Sequence, residues 1–301
     1  MESAARPPGP PRFPACVNGR LCDVADATIP ATDQGLLRGD GCFEFVRVFL
    51  GKPFLLSEHL QRMERSCGVL HLANPREELE ADIAAVLDAM ATGDQQGVSY
   101  DLRIVLTRSG SRLVLSEPLL TSLGPAALCL VTDTARPLLT GAKTLSYAAN
   151  MLAARLARER GFDEALLVTP VGRILEVQTS AFFWVSDDGA VCTPPLSEGI
   201  LDSITRRLLM EHLRIEERAC DVEDALAASE AFISGSGWEV RPVSRIEDRE
   251  LGAVPGAATQ EAQKVIWHEI EMHTGLDLAP HFAQAGSPDF VWAAWRELHA
   301  T

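Results

Sequence analysis

The stretch at 141–168, GAKTLSYAANMLAARLARERGFDEALLV, decides the fold. It reads as a helix followed by a buried strand. Leu145, Ala148, Ala149, Leu152 and Leu156 fall on one helical face, while Arg155, Arg158, Glu159 and Arg160 take the wet face. Gly161 is suited to end the helix as its C′ residue. EALLV then reads as a strand of the core. Lys143 stands just ahead of this helix, at a loop–helix junction between two core elements. An arbitrary lysine in such a place is a solvated surface residue. The sharper reading is a lysine held for Schiff-base chemistry. The rest of the chain has to decide between the two.

Upstream, CVNGRLCDV reads as a hairpin around Asn18-Gly19, and GCFEFVRVFLGKPFLL as two strands turning at Gly51-Lys52. Ser57 is expected to cap a helix carrying Leu60, Met63, Cys67 and Leu70 on one face. Asn74-Pro75 opens a second helix with Leu79, Ile83, Val86, Leu87 and Met90 inward. YDLRIVLTR and RLVLSEP are strands. Downstream come a strand at 126–132, the Lys143 helix, EALLVTP and GRILEV, and a hairpin at Asp188-Gly189. Helices follow near 203–213 and 222–229, then two strands in EAFISGSGWEVRPV and a helix after Thr259. The expected organisation is a Pro-rich disordered tail (1–14), a small N-terminal α/β unit (15–118), a linker (119–125), a larger C-terminal unit (126–273) and a C-terminal extension (274–301). The fold class is mixed, α/β grading into α+β.

The 301 residues are 47% hydrophobic, enough for a sizeable core, and no apolar run reaches the ~20 residues of a membrane helix. A formal charge of −15 argues against a nucleic-acid partner. Seven scattered cysteines without a C-x-x-C pair point to reduced thiols in the cytoplasm. No histidine spacing suits a metal: His268 and His273 are five apart, not i, i+4.

Several separated features meet one demand. A pyridine aldehyde cofactor bearing a phosphate needs an amine, an acid for its ring nitrogen and a phosphate cup. Lys143 supplies the amine. Glu176, at a strand end in GRILEVQTSAFFWV, supplies the acid. SEGILDSITRRLL leads from a Gly-containing loop into a helix whose first amides, at Ile204 and Thr205, can hold a phosphate together with the Thr205 hydroxyl. ISGSG (233–237) is a second small-residue anion loop, and Arg62 adds positive charge. Taken singly, each has a plain alternative: a strand-end acid, an ordinary N-cap, a tight turn, a solvated helix arginine.

Together and in this order, these motifs resemble the fold-type-IV (class IV) pyridoxal-phosphate aminotransferases, which include branched-chain and D-amino-acid aminotransferases and aminodeoxychorismate lyases. The resemblance spans about residues 17–272. It rests on DQGLLRGDGCFEFVRVFLGKPFLLSEHLQRM, KTLSYAANMLAARLARERGFDEALLV, GRILEVQTSAFFWV, TPPLSEGILDSITR and SGSGWEVRPV. It implies a small N-terminal α/β domain, a larger C-terminal pseudo-barrel domain, a cofactor between them and a homodimer. It implies that Lys143 is the Schiff-base lysine and Glu176 the partner of the pyridine nitrogen. Arg62, Ile204, Thr205 and Ser236 match phosphate-binding positions, and Ser180 and Ser234 join the cofactor set. Tyr147 resembles the tyrosine that bonds the ring oxygen, one residue nearer the lysine than in branched-chain enzymes. Ala181 stands where many members carry asparagine.

The resemblance also carries the substrate side, to Arg38 and Phe43 in LLRGDGCF, to Arg103, and to Arg108 and Arg112 in TRSGSRLVL. Family lyases often carry threonine where Phe45 stands, which favours transamination between an amino donor and an oxo acid. The alternatives are aminodeoxychorismate lyase and a non-catalytic relative; retention of both Lys143 and Glu176 argues against the latter.

Overall fold

Residues 41–49, GCFEFVRVF, alternate in the side they face, and this alternation layers the molecule. The computed structural model describes residues 13–92, 97–119, 124–133, 137–252 and 254–277. Six antiparallel strands, β1 (Pro14–Val17), β2 (Arg20–Asp23), β3 (Gly41–Phe49), β4 (Lys52–Pro53), β5 (Tyr100–Thr107) and β6 (Arg112–Pro118), form one sheet in the order β2-β1-β6-β5-β3-β4. With it go the helices α1 (Gln34–Arg38), α2 (Leu56–Leu70) and α3 (Arg76–Thr92). Cys42, Val46 and Val48 point to one side of β3 and pack with Leu60, Met63 and Cys67 of α2 and Leu79, Ile83 and Val86 of α3. Phe43, Phe45, Arg47 and Phe49 point to the other side, toward the rest of the chain. Phe49 there joins Phe183, Phe232 and Ile266.

The second sheet has nine strands: β7 (Ala126–Thr132), β8 (Glu164–Val168), β9 (Ile174–Val177), β10 (Ala181–Val185), β11 (Val191–Thr193), β12 (Ile215–Glu217), β13 (Glu230–Gly235), β14 (Glu239–Ile246) and β15 (Arg249–Glu250). Their order is β12-β11-β10-β13-β14-β7-β8-β9, with β15 on β14. β14, β7 and β8 run parallel, and the sheet curls so that β9 at its end leads straight into β10 through a Val177–Ser180 bridge. Helices α4 (Ala148–Glu159), α5 (Ile204–His212), α6 (Val222–Ala227) and α7 (Ala257–Thr274) complete it.

Several expectations need correction. Leu55, not Ser57, is the N-cap of α2. The turn out of β4 puts Leu55 at φ 52°, so the helix starts earlier and Ser57 lies inside its first turn. The α4 face that packs on β7 and β8 is Ala153, Ala154 and Ala157, not the leucine stripe; Leu152 is 50% and Leu156 38% exposed. The helix begins at Ala148 rather than Leu145, and small alanines let it lie close to the strands. Gly161 does follow the helix at φ 79°, as a C′ residue should. Strand β1 already begins at Pro14; tail residues 1–12, linker residues 120–123 and extension residues 278–301 lie outside the described residues.

The two sheets are tied by a buried arginine. Arg47 Nε donates to Asp101 Oδ1 (2.7 Å), its Nη1 to Glu239 Oε1 (3.1 Å) and its Nη2 to the Gly237 carbonyl (2.8 Å). Removing the guanidinium takes a charged partner from two buried carboxylates. Arg47→Met should therefore cost about 3–5 kcal/mol, read as a lower urea midpoint with an unchanged slope. An unshifted midpoint would mean the tie contributes nothing net.

Candidate active site

Residues 143–145 run beside the start of β3. Phe43 N–H donates to the Lys143 carbonyl (3.0 Å), Leu145 N–H donates to that of Gly41 (2.9 Å), and Thr144 bridges Cys42. The approach needs a glycine: a Cβ on Gly41 would lie 2.6 Å from Leu145 Cδ1 and 2.4 Å from the Leu106 carbonyl. Lys143 N–H donates to Ser66 Oγ on α2 (3.1 Å). With its backbone fixed, the lysine runs into a cavity of about 570 Å³ between the two sheets.

The Lys143 amine meets ring faces, with Nζ 4.4 Å from the Phe43 centroid and 5.7 Å from that of Tyr147. Among the described residues it makes no hydrogen bond or ion pair. Burial, with the Arg62 charge, pushes its pKa down to about 8 against the pull of Glu44 and Glu176. The chain has two other lysines, Lys52 and Lys264, and both are exposed.

Glu176, on β9, also lines the cavity. Its carboxylate accepts from Leu201 N–H at 3.2 and 3.3 Å. Burial pushes it up to about 7, although the Leu201 amide and the Lys143 and Arg62 charges pull the other way. It can therefore hold or release a proton near neutrality. Tyr147 stands edge-on to Phe43 and donates to the Gln178 carbonyl (3.2 Å), which also accepts from Asn150 Nδ2 (2.8 Å). Burial, then the Glu176 charge, raises the tyrosine pKa. Gln178 is itself held, accepting from Ala165 N–H (2.7 Å) and donating to Glu164.

At another part of the wall lie Arg62, Ser203 and Ser236. Ser203 caps α5, accepting from Arg206 N–H (3.4 Å). Its hydroxyl lies 3.1 Å from that of Thr205, which lies 3.1 Å from that of Ser234. Thr205 and Ser234 are thus buried one layer behind the wall. The amides of Ile204 and Thr205, in the first turn of the helix, find no acceptor among the described residues. Arg62 is buried and forks onto Glu44, Nε to Oε1 (2.8 Å) and Nη2 to Oε2 (2.6 Å).

The donor set fits pyridoxal 5′-phosphate on one observation above all: Ser180 Oγ lines the cavity, is buried and has no hydrogen-bond partner. A hydroxyl left so is costly in a finished core and ordinary in a site built around a polar ligand. The free α5 amides and the amine lacking a carboxylate partner point the same way.

On the substrate side, Arg103 and Phe43 line the cavity, as does Phe45. The Arg103 guanidinium lies 5.8 and 5.2 Å from the Phe43 and Phe45 centroids and forks onto Glu117 at 2.5 and 2.9 Å, leaving Nη1 uncommitted. The other three arginines do not line it. Arg38 is exposed on α1 and bonded to Gln34. Arg108 is held by Asp40 and the Leu70 and His71 carbonyls, and Arg112 by Asp82 (2.8 Å). Sequence reading missed Glu44, His59, Ser203 and Gln178. Glu44 had a visible signal, an acid at an inward position of an apolar strand.

The class IV aminotransferase model matches residues 41–246. A putative branched-chain-amino-acid aminotransferase of Methanocaldococcus jannaschii is 30% identical over 258 residues, 78% of this chain and 88% of that one. An aminodeoxychorismate lyase of Bacillus subtilis is 30% identical over 286 residues, 85% and 94% of the two chains. A solved fold IV-transaminase from Curtobacterium pusillum superposes with a TM-score of 0.77 at 26% identity, covering 85% of this chain and 99% of that one. The chain belongs to the class IV aminotransferase family, with its two-domain fold, and is an enzyme that depends on pyridoxal 5′-phosphate.

Proposed function

We propose that this enzyme moves an amino group between a carboxylated amine, such as an amino acid, and a 2-oxo acid, with Lys143 as its catalytic residue. The observation that carries the reading is the desolvated Lys143 amine in one cavity with Glu176 and with Arg103 over Phe43 and Phe45. Bound pyridoxal 5′-phosphate supplies an aldehyde for the amine and an electron-poor ring that accepts charge from the substrate α-carbon. Lys143 would be the base that takes the substrate α-proton and the acid that gives it back; a pKa near 8 would let it do both. Glu176, oriented by the Leu201 amide, keeps the ring nitrogen protonated. Tyr147 and Ser180 hold the ring's polar edge. Arg62, Ser236 and the Ile204 and Thr205 amides form the phosphate cup, with the hydroxyls of Thr205 and Ser234 behind it. Arg103, oriented by Glu117, presents Nη1 to a substrate carboxylate. The aromatic Phe45 supports transamination over lyase chemistry.

Two further properties belong to this reading. The exposed Leu36 and Leu37 of α1 and Met151, Leu152 and Leu156 of α4 support a homodimer that covers them; the end of α1 and the segment ahead of α4 meet where Ser146 donates to the Gly39 carbonyl. The free cysteines, all seven of them, support a reducing, cytoplasmic setting. No helix among the described residues is long and apolar enough to cross a membrane. Sedimentation at micromolar concentration should give twice the chain mass of 32.6 kDa; a monomer would leave the leucines unexplained.

Lys143 should attach to added pyridoxal 5′-phosphate at a rate that rises with pH through about 8, because only the neutral amine attacks. Two units lower, the rate should be about a hundredfold slower. Borohydride should then fix the label in the Lys143 peptide. Label in Lys52 or Lys264 would remove the assignment, and Lys143→Ala should lose both turnover and near-visible absorption.

Arg103→Met should lower kcat/KM for carboxylated donors by about ten- to a hundredfold and spare amines without a carboxylate. Equal loss on both would refute carboxylate recognition. The same donor panel should include aminodeoxychorismate: its conversion to p-aminobenzoate without an oxo acid would replace transamination by the lyase reading.

A further inference from the structure

Behind the phosphate cup runs a line of buried groups that the reaction above does not use. Glu44, from β3, is fully buried. Besides its fork with Arg62, its Oε2 lies 2.7 Å from His59 Nδ1. His59 is buried on α2, one helical turn before Arg62. Its other nitrogen, Nε2, meets Ser236 Oγ at 3.5 Å, and Ser236 lines the cavity.

The chemistry of the line leaves one choice open. Burial works to raise the Glu44 carboxyl, but Arg62 and His59 hold it at about 2, so near neutrality it is ionised and can only accept. His59 Nδ1 therefore carries a hydrogen, and the ring varies only at Nε2. A neutral ring offers Nε2 as an acceptor, and Ser236 must turn its single proton toward it. A protonated ring donates from Nε2 to the Ser236 oxygen, which frees the hydroxyl proton to point into the cavity. One proton thus reverses the polarity of the His59–Ser236 link.

The charges around His59 set which state prevails. Facing it are Glu44 from β3, Arg62 from its own helix and Lys143 from the segment ahead of α4. Burial lowers the imidazole pKa, Glu44 opposes this, and the cations Arg62 and Lys143 add to it, so the ring is neutral without ligand. Arg62 is already matched by Glu44. A phosphate dianion in the cup therefore brings more negative charge than that arginine balances, on the far side of Ser236.

We propose that His59 takes up one proton from solvent when a phosphate-bearing ligand fills the cup, turning Ser236 into a donor to the phosphate. One N–H bond forms at Nε2, a buffer acid supplies the proton, and no other bond changes. His59 is thereby a positioning residue, and Glu44 is the fixed anion that holds it. The proposal rests on the phosphate-cup reading given under the proposed function.

The test uses the full chain, dialysed free of cofactor and labelled with ¹⁵N-histidine, at pH 7. The probes are pyridoxine 5′-phosphate, which has no aldehyde for Lys143, and pyridoxine, which has no phosphate. A phosphate ester loses its second proton near about pH 6 and is mainly dianionic here. His59→Gln identifies the resonances. Saturation with pyridoxine 5′-phosphate should move both His59 ring nitrogens to their protonated positions, and pyridoxine should leave them neutral. His59→Gln should weaken pyridoxine 5′-phosphate binding about tenfold more than pyridoxine binding. Ser236→Ala leaves the buried ion pair untouched and should keep the ring neutral in the complex. A ring that stays neutral in the saturated wild-type complex overturns proton uptake and leaves the cup standing. A ring that protonates equally in Ser236→Ala overturns the relay. Equal affinity for the two probes overturns the cup, and the proposal with it.

Discussion

The pairing of residues 143–145 with the first residues of β3 is the constraint on which the site depends. Two backbone hydrogen bonds and the Ser66 hydroxyl fix a segment about a hundred residues away in sequence against a strand of the other sheet. Backbone bonds set position without using side chains, so the Lys143 side chain stays free for chemistry. Gly41 permits the approach, since any Cβ there would drive the Leu145 side chain away. The lysine therefore emerges between the sheets, a place where its amine is desolvated while ring faces, not carboxylates, surround it.

Desolvation then does opposite things to two groups in one cavity. It lowers an amine and raises a carboxyl, bringing Lys143 to about 8 and Glu176 to about 7. Groups that ordinarily differ by some six units come within reach of one another and of neutrality. Direct pairing of the two would have worked against this, because each would have stabilised the charged form of the other. Arg62 supplies a second restraint. Its fork onto Glu44 keeps a buried cation at the wall at tolerable cost, and its charge helps depress Lys143.

Much of this was legible in the sequence because it is local. The α4 helix and strand β8 follow from periodicity and from Gly161, and the lysine stands out by its place at their head. The start of α5 follows from the Gly-containing loop that leads into it. What was not legible depends on which side of an element meets which partner. The apolar stripe Leu152 and Leu156 read as core, yet the alanines 153, 154 and 157 pack inward, because close contact with β7 and β8 rewards small side chains more than large ones. The arginines show the same limit. Sequence identifies a cation but not where its partner holds it, so Arg108 and Arg112, held away from the cavity by Asp40 and Asp82, read no differently from Arg103, which Glu117 holds at the cavity wall. Glu44 and His59 act through tertiary partners, and only the inward phase of Glu44 on its strand gave a hint.

Strand β3 shows how one element separates two tasks. Its period of two sends Glu44 to the side of α2, where it fixes Arg62 and His59, and sends Phe43 and Phe45 to the cavity side, where they lie beside Arg103 and Lys143. The same alternation sends Arg47 to the second sheet as a buried tie. Side chains on opposite faces of a strand share no contact surface, so a change at Phe45 can reshape the cavity wall without moving the Arg62 guanidinium. The Glu44–Arg62–His59 cluster and the Phe43–Phe45 wall thereby rest on one strand, from its two faces. The two faces meet again in the cavity, which both Arg62 and Phe43 line, so a ligand there would lie against both.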